Sequence, residues 1–136
     1  MKQSIQNKVS KVEKGARVAI VDDDASIREA IKSLLGSVGV EADSFASAEE
    51  FLSSADQDNT GCLILDVRMP GMSGLELQQH LAVAGELIPI IFITAHGSDE
   101  EARAQALESG AIDFLSKPFS EEVLLNDVQA ALALQS

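Results

Sequence analysis

The sequence predicts an α/β fold, a five-stranded parallel sheet with five helices, because short apolar runs alternate with amphipathic stretches along its 136 residues. Two further observations support this. The runs Val18–Val21, Cys62–Leu65 and Ile90–Ile93 are apolar at every position, as in strands covered on both faces. Between strands stand helix-start signatures, Ser47-Ala-Glu-Glu50, Ser73-Gly-Leu-Glu76 and Ser98-Asp-Glu-Glu101, each spaced as a capping box. Right-handed crossovers leave few ways to connect such units, and the strand order 2-1-3-4-5 is the natural one at this length.

Met1 to Gly15 is polar and aperiodic, and reads as a flexible basic leader before one domain over 16–134. Arg17–Val21 is the first strand. A helix over Ser26–Ser37 carries the stripe Ile27, Ala30, Ile31, Leu34, Leu35 and Val38, and Gly36 and Gly39 mark its end. Val40–Phe45 is a short second strand, and Ser47 opens a helix that turns Phe51 and Leu52 inward. After a polar loop over Asp56–Gly61, the central strand 62–65 runs into Asp66, where Pro70 and Gly71 force a turn. Ser73 opens a helix to about Ala84, with Leu75, Leu77 and Leu81 inward. Pro89 precedes the fourth strand, which ends at Thr94. The next helix starts at Ser98 and closes at Gly110. Ala111–Leu115 is the fifth strand, and Ser120 caps a last helix with Val123, Leu124, Val128, Ala131 and Leu132 as apolar positions. This is the flavodoxin-like arrangement.

Net charge is −12, yet residues 1–17 hold five basic side chains against one acidic. The remainder is strongly acidic, which argues against direct nucleic acid binding by this chain, since phosphate backbones demand cations. Cys62 is the single cysteine, so an intramolecular disulfide and a Cys-rich zinc site are excluded, and it reads as a small core residue. No apolar window is long enough for a membrane span and no secretory signal is visible, so a cytoplasmic location is expected, with no membrane partner.

The chemistry lies in what the strands end in. Strand one ends in Asp22 and Asp23, strand three in Asp66, strand four in Thr94, and strand five beside Lys117. In a parallel sheet these ends share one edge, and that edge is where ligands go. Two unit charges about 4 Å apart repel by roughly 4 kcal/mol at an effective dielectric of about 20. Three carboxylates together therefore require a raised pKa or a cation. Hard oxygen ligands suit Mg²⁺, which favours a phosphate as co-ligand. A carboxylate can also accept a phosphoryl group as an acyl phosphate. Lys117 and Thr94 can meet further phosphoryl oxygens.

The motifs VDDDASIR, LILDVRMPGMSG, FITAHG and FLSKPF together resemble the receiver domain of two-component response regulators, over about residues 16–134. HG after Thr94 and KPF after the fifth strand resemble regulators of the nitrogen-fixation type, which carry a LuxR-type output domain. The resemblance implies that Asp66 accepts phosphate from a sensor histidine kinase. It implies that Asp22, Asp23, Asp66 and the backbone carbonyl of Arg68 hold Mg²⁺. It further implies that Thr94 and Lys117 bind the phosphoryl group, that Lys117–Pro118 is cis, and that Phe114 is the aromatic switch. Such a domain assists its own phosphorylation without being an enzyme in the ordinary sense.

On this reading Thr94 moves toward the phosphoryl group and Phe114 turns inward. The helix 4–strand 5–helix 5 face is then remodelled, with Ala102, Arg103, Ala106 and Glu108 on it, and a homodimer can form there. Arg68 and His96 lie two places after Asp66 and Thr94, positions that the resemblance implies flank an attacking water, although His96 reads equally as an exposed loop residue. Asp24 reads as a helix-start residue, His80 as a surface residue, and Met69 and Met72 as packing beside the loop. The alternatives are a stand-alone receiver and a degenerate receiver acting as a phosphate-independent interaction module. An aspartate-nucleophile phosphohydrolase is disfavoured, because Asp66 is followed by Val67-Arg68 rather than by a second acid two residues on.

Overall fold

A computed structural model describes residues 17–54, 59–95 and 99–134. The elements alternate as the sequence predicts: β1 (Arg17–Val21), α1 (Ala25–Ser37), β2 (Ala42–Phe45), α2 (Ala48–Ser53), β3 (Thr60–Asp66), α3 (Gly74–Val83), β4 (Ile90–Thr94), α4 (Glu100–Glu108), β5 (Asp113–Ser116) and α5 (Glu121–Ala133). The strands form one sheet in the order β2-β1-β3-β4-β5. Every neighbouring pair is parallel, with Ile20 opposite Ile64, Leu65 opposite Phe92 and Thr94 opposite Ser116. Among the described residues no helix is long and apolar enough to cross a membrane.

The strand period of two divides the core. Ala19, Val21, Leu63, Leu65, Phe92 and Phe114 face one side, where they meet Phe51 of α2, Leu77 and Leu81 of α3, and Ala106 of α4. Val18, Ile20, Cys62, Ile64, Ile91 and Ile93 face the other, against Ile31 and Leu35 of α1 and Leu124, Val128 and Ala131 of α5. Burying a large apolar side chain stabilises by about 1.5–3 kcal/mol, so two filled faces hold β3 firmly at the centre. All of β3 is buried, including its terminal Asp66. Cys62 is a core residue as expected, and burial, with the nearby Asp127 charge, pushes its thiol up to about 12.

Element edges differ from the sequence reading where a polar or small residue takes part in pairing. β3 begins at Thr60 rather than Cys62, because Thr60 pairs with Arg17 across an irregularity in the register. β5 runs Asp113–Ser116 rather than Ala111–Leu115. The Ala111 amide closes α4 by donating to the Ala106 carbonyl at 3.0 Å, after Gly110 has turned the chain at φ +103°. Val40 likewise closes α1, donating to the Leu35 carbonyl at 3.0 Å, so β2 starts at Ala42. Asp99 caps α4, accepting from the Ala102 amide, and Ser98, where the sequence pattern starts this helix, lies outside the described residues. The Ser73 capping box is reciprocal. At Ser47 only half of one forms, since Glu50 accepts from the Ala46 amide instead.

Two residues expected on the outer face of α4 point inward. Ala102 and Ala106 are buried against the sheet, while Arg103 and Glu108 are exposed. Residues four apart share a helix face, and two alanines let the helix lie close to β4 and β5. Val123 of α5 is exposed, whereas Leu124, Val128 and Ala131 carry the packing.

Candidate functional site

The carboxyl edge of the sheet gathers the charged residues. β1 delivers Asp22, which is fully buried and whose amide donates to the Phe45 carbonyl at 3.2 Å. One Asp22 oxygen accepts from the Asp24 amide at 2.8 Å, and Arg28 donates to the Asp22 backbone carbonyl at 2.7 Å. Asp24 caps α1 through the Ser26 amide, the helix-start role expected of it. Asp23 is exposed at the mouth of the cluster. β3 delivers Asp66, held where the Val67 amide donates to the Ile93 carbonyl at 3.1 Å.

The loop after Asp66 turns back tightly. The Gly74 amide donates to the Val67 carbonyl at 2.9 Å, and a Cβ at Gly74 would lie 2.2 Å from the Asp66 carbonyl oxygen. Glycine is thus required there by close approach. At Gly71, with φ +79°, a Cβ would lie 2.7 Å from a Glu49 carboxylate oxygen. That oxygen accepts from the Met72 amide at 2.9 Å, which lowers the Glu49 pKa. Met69 is buried and Met72 half-buried beside this loop, as expected. His80 is exposed on α3.

Asp22, Asp23 and Asp66 offer carboxylate oxygens all within 4.8 Å of one another. Lys117 enters from the end of β5, its amide donating to the Thr94 carbonyl at 2.7 Å. Its ammonium lies 2.9 Å from Asp22 and 3.9 Å from Asp66. The Lys117–Pro118 peptide is cis, matching the resemblance. Burial and the Asp22 charge push Asp66 up to about 7, opposed by Lys117 and the Arg68 amide and raised further by Asp23. The carboxyl group therefore holds its proton to higher pH than an ordinary carboxylate when no cation is present. A group of three hard oxygen donors at this spacing fits a small divalent ion that keeps waters.

Thr94 is buried at the end of β4, one residue from the cluster's sheet neighbours. Phe114 is 4% exposed, its ring 6.0 Å from that of Phe92. The ring expected to turn inward on phosphorylation is already inside, packed against Phe92. The Arg68 side chain is exposed and ion-paired with Asp99 at the start of α4. His96 and the leader Met1–Gly15 lie outside the described residues. Sequence reasoning missed Arg28, Glu49 and Asp99 as residues that hold the site. Their partners are backbone atoms or a side chain on another element, for which the sequence offers no spacing signal.

The family described as "Response regulator receiver domain" matches residues 18–129. The response regulator protein TodT of Pseudomonas putida is 50% identical over 117 residues, covering 86% of this chain and 51% of TodT. The transcriptional regulatory protein FixJ of Azorhizobium caulinodans is 40% identical over 115 residues, 85% of this chain and 54% of FixJ. A solved structure of the response regulator StyR superposes with a TM-score of 0.81 at 47% identity, covering 88% of this chain and 60% of that one. The chain spans about half the length of the curated relatives it matches.

Proposed function

The chain belongs to the response regulator receiver domain family, and from that premise we propose that it is a phosphorylation-dependent switch in which Asp66 is the acceptor. The observation that carries this is the cluster of Asp22, Asp23 and Asp66 with the Lys117 ammonium 2.9 Å from Asp22 and 3.9 Å from Asp66. An Asp66 carboxylate oxygen attacks phosphorus as the P–N bond to the histidine of a sensor kinase breaks, leaving an acyl phosphate on the chain. Asp22, Asp23, Asp66 and the Arg68 backbone carbonyl would hold Mg²⁺, which supplies positive charge to the oxygens of the transferred group. Lys117 neutralises a further phosphoryl oxygen, and Thr94 donates to another.

The relay reading rests on Thr94, Phe92 and Phe114. Phe92 and Phe114 are register partners on adjacent strands, and Thr94 ends the strand that carries Phe92. A shift of Thr94 toward the phosphoryl group disturbs that ring pair, and with it the outer face of α4, β5 and α5. Since the Phe114 ring is already inside, the signal is a repacking rather than an inward swing. The remodelled face pairs with a second copy.

FixJ is named a transcriptional regulatory protein, which supports reading this chain as the receiver part of a transcriptional regulator, for which we propose a cytoplasmic location. Intact mass after incubation with a small acyl-phosphate donor and Mg²⁺ tests the acceptor. One added phosphoryl group is expected, absent from Asp66→Ala and absent without metal. An adduct that survives in Asp66→Ala overturns the assignment.

A further inference from the structure

Arg68 stands two residues after Asp66, in the loop that leaves the acid cluster, yet its guanidinium is ion-paired with Asp99, and both residues line a groove of about 450 Å³. The two residues are 31 apart in sequence and belong to the acceptor loop and the N-terminus of α4. Asp99 is the more enclosed partner, 16% exposed against 59% for Arg68, because its other oxygen accepts from the Ala102 amide at 3.1 Å. One carboxylate thus does two things: it caps α4 and it holds an arginine that stands two residues after Asp66 in the chain.

We infer that Asp99 is a positioning residue that competes with the phosphoryl group for the Arg68 side chain. This rests on the reading of Asp66 as acceptor. A phosphoryl group carries about −1.5 to −2 charges and three acceptor oxygens, so it outbids a single carboxylate for a guanidinium. Without it, Arg68 ties the acceptor loop to the start of α4. With it, Arg68 transfers to the phosphoryl oxygens and α4 is released at the end nearest the site. The Asp99 cap on α4 is unaffected, because it uses the Ala102 amide rather than Arg68.

The two jobs of Asp99 separate cleanly by substitution. Asn and Ser cap helices about as well as Asp, but offer Arg68 no charge. Beryllofluoride with Mg²⁺ serves as the probe, a phosphoryl mimic whose binding to the full chain is followed by NMR titration. Asp99→Asn and Asp99→Ser are expected to bind it roughly two- to five-fold more tightly than the parent, the range that an exposed ion pair can contribute. In an Arg68→Gln background the same substitutions are expected to change nothing, so the two sites are fully coupled. Thermal unfolding checks that α4 survives. Unchanged affinity in both Asp99 variants, or a gain that persists without Arg68, overturns the inference while leaving the acceptor reading intact. A parent that takes up no beryllofluoride overturns both.

Discussion

The Lys117 ammonium lies 2.9 Å from a fully buried Asp22 carboxylate oxygen and 3.9 Å from Asp66, so the lysine neutralises the inner acid and leans toward the outer one. A carboxylate with no exposure depends on that partner. Lys117→Met is expected to lower stability by about 3 kcal/mol in metal-free buffer, the scale of breaking a buried pair. Mg²⁺ should recover part of the loss. Urea unfolding with and without the ion checks both statements, and equal losses would show that the lysine acts elsewhere.

Stability should fall as pH rises from about 4 to about 7 without metal. Asp66 is raised to about 7 by burial and by Asp22, and Asp127 to about 7 by burial and by Asp113. In that window the folded chain holds protons that the unfolded chain has released, so stability is greatest at the acid end and declines toward neutrality. Asp66→Asn and Asp127→Asn should each remove part of the slope. Mg²⁺ should flatten the Asp66 part alone. Thermal unfolding across the window measures it, and a slope of the opposite sign would contradict both assignments.

Gly74→Ala forces a Cβ to within 2.2 Å of the Asp66 carbonyl oxygen. The contact is with backbone, so the acceptor strand and the start of α3 must separate. A loss of about 1–3 kcal/mol is expected, as for other overpacked sites. Phosphoryl uptake at Asp66 should slow in parallel, read by the same mass measurement. A variant with parental stability and uptake would mean that the loop yields freely.

Thr94→Ala should still take up one phosphoryl group at Asp66 but should no longer dimerise. The hydroxyl is lost while the acid cluster stays whole. Analytical ultracentrifugation of the phosphorylated variant tests this. A dimer of parental strength would exclude Thr94 as the relay.

Glu49→Ala removes the carboxylate that accepts from the Met72 amide. Hydrogen exchange at Met72 should accelerate while amides of β3 keep their protection, because the strand is held by the sheet and the loop by Glu49. Parental exchange at Met72 would show that the turn holds itself.

The sequence by itself determined the sheet, its strand order and the residues at its carboxyl edge. Those signals are local: an apolar run, the acid or hydroxyl that ends it, and the Ser that starts a helix lie side by side in the chain. Boundaries differed where a residue that the apolar pattern assigns to a strand closes the preceding helix instead, as Ala111 and Val40 do. Tertiary structure decided the pairings. Lys117 meets Asp22 across 95 residues and Arg68 meets Asp99 across 31, and both depend on strand register and loop path. It also decided the turn of α4 that buries Ala102 and Ala106, because a helix whose one large apolar residue, Leu107, faces partly outward carries no stripe to mark its inner side. Phe114 sits against Phe92 for the same reason: which ring fills a core space follows from how neighbouring strands are aligned, and that alignment is set by the folded sheet as a whole.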